Sequence, residues 1–176
     1  MLEGIHKIHL IGIGGSGMRA IANILIQKGY DVSGSDVAES AVISKFREMG
    51  ATVHIGHNKE YVNGVDAVVR STAIRENNPE IVAAKEQGIT ILHRSDIVKA
   101  VLDVTDGIAV AGAHGKTSTT SMIGQILVEA DADPTVIIGG EVDYLKGSSC
   151  LGKGHFSVVE ADESDGSFLK LRPHTI

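Results

Sequence analysis

The stretch Ile8-His9-Leu10-Ile11-Gly12-Ile13-Gly14-Gly15-Ser16-Gly17-Met18 decides the fold. An apolar run of strand length stops at glycines spaced Gly12-x-Gly14-x-x-Gly17, and a helical pattern over residues 17–28 follows. Strand, glycine loop and helix in that order are the context in which this spacing is informative. The glycines permit a tight turn, and the helix N-terminus offers free N–H groups to a pyrophosphate. Asp36 ends the next strand pattern, where an acid accepts hydrogen bonds from ribose hydroxyls. The ligand can be NAD or another nucleotide diphosphate; the loop alone does not choose.

Outward from that loop, strands and helices alternate. Residues 30–34, 53–55, 67–69 and 89–92 read as strands, and residues 41–49 and 95–102 as helices. Asn78-Pro79-Glu80 opens another helix that runs to Gln87, with Asn78 as N-cap and Pro79 in the first turn. Continuously apolar strands in a β-α-β-α rhythm predict a parallel sheet covered on both faces. A seam falls within residues 103–106, after which the pattern restarts with a strand at 108–110, a second glycine loop, a helix at 116–130 and strands at 136–138 and 156–160.

The second loop, Ala111-Gly112-Ala113-His114-Gly115-Lys116-Thr117-Ser118, ends as a phosphate loop ends. Its backbone N–H groups cradle phosphates, Lys116 reaches the β- and γ-phosphates, and the Thr117 hydroxyl ligates Mg2+. Val110 stands where the leading glycine of such loops usually stands, so the loop is a variant. The strand at 156–160 closes on Glu160, placed to hold Mg2+ or its waters, at the head of an acidic run over 160–165. ATP with Mg2+ is the expected cofactor pair. The expected fold is therefore α/β: a Rossmann-like parallel sheet domain over residues 1–104, then the start of a P-loop α/β ATPase domain over residues 105–176. That second domain is truncated, and an unpaired strand edge predicts disorder beyond about Gly139 or a homodimer.

Composition narrows the function classes. The 176 residues are 43% hydrophobic and 22% charged, enough to bury a core, while 3% aromatic content with no Trp argues against stacking platforms for single strands. With 16 basic and 22 acidic side chains the net charge is −6, which disfavours nucleic acid and anionic membranes as partners. The single Cys150 excludes an internal disulfide and fits a cytoplasmic setting. His54 and His57 flank a strand end and do not make a zinc set; Ser71-Thr72-Ala73 follows a strand at the sheet edge where α/β proteins bind ligands.

GIGGSGM at 12–18, SGSD at 33–36, NPE at 78–80, AGAHGKTSTT at 111–120 and EADESD at 160–165 together resemble the Mur ligases of peptidoglycan synthesis. The resemblance implies an ATP-dependent ligase that joins L-alanine to UDP-N-acetylmuramate through an acyl phosphate, in a process serving cell shape and division. It implies that Gly14, Gly15, Ser16 and Gly17 lie against the substrate's pyrophosphate, Asp36 near the uridine, and Ser71 and Ala73 on a substrate-side loop. Gly112, Ala113, His114, Gly115, Lys116, Thr117 and Ser118 match the ATP loop, with Lys116 the catalytic lysine, and Thr117 and Glu160 match the metal ligands. Ala113 replaces the family's usual threonine, and Arg70 stands where an uncharged residue is usual. The family's adenine-contacting segments, downstream histidine and C-terminal domain are absent, so this chain alone is expected to be inactive. The competing reading is an NAD-dependent oxidoreductase or nucleotide-sensing domain using the first loop; Gly115-Lys116-Thr117 counts against it.

Overall fold

The structure is a computed structural model that describes residues 1–162 and 166–176. The chain divides into two compact units, Leu2–Arg94 and, with Met1, Ser95–Ile176.

The first unit holds five parallel strands: β1 (Lys7–Ile11), β2 (Asp31–Asp36), β3 (Thr52–Ile55), β4 (Ala67–Arg70) and β5 (Thr90–His93), in the order β3-β2-β1-β4-β5. Helices α1 (Ser16–Gln27), α2 (Ala41–Glu48) and α3 (Pro79–Glu86) connect them. The order reverses between β1 and β4, and right-handed crossovers then carry α1 and α2 to one face and α3 to the other. This is the doubly wound arrangement expected from the apolar strands.

Burial explains the elements. Met18, Ala20, Ile21, Ala22, Ile24 and Leu25 line the covered side of α1. On the other face Ile81, Ala83 and Ala84 of α3 pack with Ile11, Val62 and Val68. Asn78 caps α3 by accepting the Glu80 N–H at 2.9 Å, and Pro79 follows in the first turn, as predicted. Gly34 in β2 is required by close approach: a Cβ there would lie 2.8 Å from both the Leu10 carbonyl oxygen and the Ile13 side chain. That contact lets the loop after β1 fold down over β2.

The second unit carries a four-stranded sheet of β6 (Asp106–Val110), β7 (Thr135–Val142), β8 (Gly147–Cys150) and β9 (Phe156–Glu160), in the order β6-β9-β7-β8. β6, β9 and β7 run parallel, and α5 (Lys116–Glu129) connects β6 to β7. β8, a strand absent from the sequence reading, returns antiparallel to β7 through a turn in which Lys146 takes a left-handed conformation (φ 49°). Its sequence Gly-Ser-Ser-Cys has no apolar alternation to announce a strand. β6 is not a bare edge either, because Thr175 bridges Ile108 in parallel, with the Ala109 N–H donating to the Thr175 carbonyl at 2.9 Å.

α4 (Arg94–Leu102) lies where the units divide. The seam drawn at 104/105 follows sheet membership, whereas the compact units separate after Arg94, because Leu102 packs on Gly107 of β6. Among the described residues no helix is long and apolar enough to cross a membrane.

Candidate functional site

In the first unit the loop after β1 is built by its neighbours on β2. The N–H groups of Gly12 and Ile13 both donate to the Ser35 carbonyl, at 2.8 and 3.1 Å. The Gly14 N–H donates to Asp36 Oδ2 at 2.8 Å, and the Val37 N–H to Asp36 Oδ1 at 2.7 Å. Asp36 therefore holds the loop with one oxygen, while each carboxylate oxygen keeps a further lone pair for a ligand hydroxyl. Gly15 is the N-cap of α1, with no side-chain cap, so Ser16 and Gly17 begin the helix with their N–H groups available to an anion.

The spatial arrangement adds Arg94, which the sequence reading passed over. Its guanidinium packs so closely on Gly17 that a Cβ there would lie 3.0 Å from Nη1. It brings a permanent positive charge to the start of α1 from a residue far along the chain. The signal that would have found it is a cation immediately after a strand at the carboxyl edge of the sheet.

Ser71 and Ala73 sit in the turn after β4, where the Ile74 N–H donates to the Ser71 carbonyl at 3.2 Å. Ile74 reaches over Gly12, so this turn borders the glycine loop at the strand-order reversal. Arg70 is engaged within the same turn, pairing with Glu76 at 2.5 Å, and Glu76 also accepts from Lys85 at 2.6 Å. These bonds hold the Glu76 carboxyl below the usual range. Arg70 shapes the turn; its charge is already matched.

Beneath Asp36 lies a buried polar group that the pattern of residues did not reveal. Glu80 has no solvent exposure and accepts from Ser35 Oγ at 2.7 Å and from the Asn58 N–H at 3.2 Å. His9 Nε2 is 3.4 Å from one of its oxygens and His57 Nδ1 3.3 Å from the other. Burial pushes this carboxyl up, but the His9 and Ser35 contacts and the facing His9 and His57 rings outweigh it, and the carboxyl titrates below its ordinary value. His54 instead stacks on Tyr61, with centroids 4.0 Å apart. The two histidines serve different partners and do not converge on a metal.

The second unit presents its own loop. Gly115, the N-cap of α5, has φ 80°, a left-handed conformation that favours glycine and turns the chain into the helix. Lys116 Nζ donates to the Gly112 carbonyl at 2.7 Å, folding back over the loop. Ala113, His114 and Ser118 are exposed on it. Thr117 Oγ1 donates toward Glu160, 3.0 Å from Oε1 and 3.2 Å from Oε2, and the Gly139 N–H donates to Oε2 at 2.7 Å. Glu160 is paired with Val110 across β9 and β6, which sets it beside the strand end that launches the loop.

A hydroxyl and a carboxylate are oxygen donors of the kind Mg2+ takes. Among the described residues no group of three or more His, Cys, Asp or Glu could hold a metal, so the set suits a cation that keeps waters and shares phosphate oxygens. Of the acidic run at 160–165, Glu163, Ser164 and Asp165 lie outside the described residues. Cys150 is half-buried, and burial pushes its thiol up, away from nucleophilic character.

Comparison with known proteins adds to this geometry. The profile described as Mur ligase family, catalytic domain, matches residues 7–104. UDP-N-acetylmuramate–L-alanine ligases of a Sulfurihydrogenibium species and of Desulfotalea psychrophila are 48% and 50% identical over 169 residues, each alignment covering 96% of this chain and 37% of the relative. The crystal structure of UDP-N-acetylmuramate-alanine ligase from Thermotoga maritima superposes with a TM-score of 0.88 at 35% identity, over 95% of this chain and 39% of that one. A Neisseria meningitides ligase for UDP-N-acetylmuramate and L-alanyl-gamma-D-glutamyl-meso-diaminopimelate gives 0.89 at 28% identity, over 98% and 59%. The chain thus spans a little over a third of the length of the curated relatives it matches. A profile match across more than half its length, one that includes the first glycine loop, means that the chain belongs to the Mur ligase family.

Proposed function

We propose that this chain is the substrate- and phosphate-handling part of an ATP-dependent ligase that joins L-alanine to UDP-N-acetylmuramate. The observation that carries the reading is the pairing of two differently built loops in one chain. One is braced by Asp36, and the other is backed by Thr117 and Glu160. A dehydrogenase would use the first and has no role for the second. The relatives' names, at 48–50% identity, point to the same pair of substrates.

In this reading Gly14, Gly15, Ser16 and Gly17 lie against the UDP pyrophosphate, with Arg94 beside them. Ser16 and Gly17 offer it their backbone N–H groups, while Gly14 and Gly15, whose N–H groups are held by Asp36 and the Gly12 carbonyl, give it room to approach. Asp36 faces the uridine, and Ser71 and Ala73 border the sugar side. Gly112 through Ser118 cradle the ATP phosphates. Lys116 exchanges its bond to the Gly112 carbonyl for a phosphate oxygen and acts on charge developing there. Thr117 and Glu160 hold Mg2+, which when bound offsets negative charge on the transferring phosphoryl group. The muramyl carboxylate is the group so activated, as an acyl phosphate, and the amine of L-alanine displaces phosphate from it.

Calorimetric titration of the chain with UDP-N-acetylmuramate and, separately, with NAD tests the first loop. Heat of binding with the UDP-sugar alone is the expected result; binding of NAD alone would return the first unit to redox or sensing chemistry. The 176-residue chain is proposed to bind without turnover, and ATP-dependent phosphate release in the presence of both substrates would overturn that part.

A further inference from the structure

Glu80 and its neighbours decide which nitrogen of His57 carries a proton. His57 Nδ1 faces two oxygens, Ser35 Oγ at 3.2 Å and Glu80 Oε1 at 3.3 Å. The Ser35 hydroxyl has a single proton, and it is directed to Glu80 Oε2 at 2.7 Å. Glu80, ionised, has none to give, and Oε1 already accepts the Asn58 N–H. Both oxygens before Nδ1 are therefore acceptors, and the hydrogen must be on the ring. In the neutral imidazole this puts the lone pair on Nε2, the nitrogen remote from the carboxylate.

The ring stands where that matters. The His57 side chain is 22% exposed, whereas Glu80 and His9 behind it are wholly buried. The preceding residue, Gly56, donates its N–H to the Asp36 carbonyl at 2.8 Å, so His57 flanks Asp36 at the carboxyl ends of β2 and β3. The same Ser35 whose hydroxyl meets His57 supplies the carbonyl that holds Gly12 and Ile13. One buried carboxylate thereby supports both the glycine loop and the segment beside Asp36.

We infer that Glu80 and Ser35 are positioning residues that lock His57 as its Nδ1–H tautomer, so that Nε2 accepts a hydrogen bond from an N–H or O–H donor of a bound nucleoside. The inference rests on the proposed assignment of a nucleoside diphosphate to this cleft. The donor is the N3–H of the base or a hydroxyl of the ribose, and both are chemistry that Nε2 as acceptor rewards. A ligand lacking the donor leaves the lone pair unmatched, which makes His57 a specificity-determining residue.

Two measurements on the 176-residue chain test this. Nitrogen-15 correlation spectra of the wild-type imidazoles should show His57 Nδ1 as the protonated, pyrrole-type nitrogen, and Glu80→Gln should change that pattern. Calorimetry with UDP, 2′-deoxy-UDP and N3-methyl-UDP, well below the melting temperature, should give about tenfold weaker UDP binding for Glu80→Gln and for His57→Phe. The analogue that already binds weakly to wild type, and loses nothing further in His57→Phe, identifies the donor. A wild-type His57 protonated on Nε2, or UDP affinity unchanged in folded Glu80→Gln or His57→Phe, would overturn the inference. Should wild type not bind UDP at all, the nucleotide assignment fails and takes the acceptor role with it, while the spectrum still decides the tautomer. A purely structural Glu80 would lower the melting temperature and leave both the tautomer and the dissociation constant of the folded protein where they were.

Discussion

A carboxylate with no water around it links folding to pH, and Glu80 is such a group. Its folded-state pKa lies below the ordinary value of 4.5. The stabilisation it contributes is therefore complete above about that value and is lost as the pH falls through the depressed folded pKa. His9 on β1 and His57 after β3 are the titratable groups facing it. Glu80→Gln should be less stable at neutral pH by about 2–3 kcal/mol, because two imidazoles and the Asn58 N–H lose an anionic partner. Urea denaturation at a series of pH values should show the gap to wild type closing below pH 4.5. A gap of constant size down to about pH 3 would mean that the carboxylate is not the source of the difference.

At this scale the sequence is uneven as a guide. Asp36, Lys116, Thr117 and Glu160 stand out as candidates because each lies in or at the end of a short run tied to a glycine loop, and the structure places each against its loop. Glu80 does not, since its partner Ser35 lies 45 residues away and the motif NPE reads equally well as a helix start. It is both: Asn78 caps the helix through the Glu80 N–H, and the Glu80 side chain leaves that helix for the sheet. Arg94 escaped for the same reason, being brought to Gly17 only by the order of strands.

Among the elements, β1 and β2 are the most tightly constrained, because Gly34 allows Ile13 to lie directly on the strand below it. Gly34→Ala would drive a methyl group to within 2.8 Å of a backbone carbonyl, which cannot swing aside as a side chain can. Overpacking at such a site should remove about 2–3 kcal/mol and detach the loop from Ser35. Urea midpoints report the first, and titration with the UDP-sugar the second; a variant of wild-type stability would show that the strands tolerate more separation than the structure indicates. At α3 the expected effect is smaller. Asn78→Ala removes one N-cap bond, worth about 1 kcal/mol, and should leave ligand affinity nearly intact because Glu80 retains its other contacts.

Most of the helices and parallel strands were legible because they carry their own apolar runs or periods. β8 was not. Gly147-Ser148-Ser149-Cys150 buries two serines against β7, and a short polar strand is recruited by its partner's open edge and not by its own pattern. The same holds for the residues after the last helical turn: Thr175 becomes strand-like only because β6 offers it hydrogen bonds.

Across the second unit, the covered side of α5 is made of small residues, Thr120 and Gly124, while Met122 and Ile126 are 58% and 66% exposed on the helix surface. Two large apolar side chains one helical turn apart, beside a four-stranded sheet, are a surface on which association is favourable. Replacing both, Met122→Lys with Ile126→Lys, should reduce self-association in sedimentation velocity at high protein concentration without changing the melting temperature appreciably. If the wild type sediments as a monomer throughout, the expectation of a homodimer falls. The presence of two glycine loops, each opening a helix in its own unit, was readable from the chain at once. The compact units part after Arg94, and α4 belongs with the second: it follows the first sheet in sequence, while its Leu102 packs on Gly107 of β6.

Glu160 sits at a junction of three elements: it ends β9, accepts the hydroxyl of Thr117 from α5, and accepts the Gly139 N–H from β7. A hydroxyl has one proton and points it at the carboxylate; to offer a cation its lone pair, it must turn that proton elsewhere. On the proposed assignment of Mg2+ to Thr117 and Glu160, cation binding would redistribute a single carboxylate's attention, and the Gly139 amide, which shares that carboxylate, would be its built-in indicator. In a proton–nitrogen correlation spectrum titrated with Mg2+ and a nucleotide, Gly139 should be among the first resonances to move.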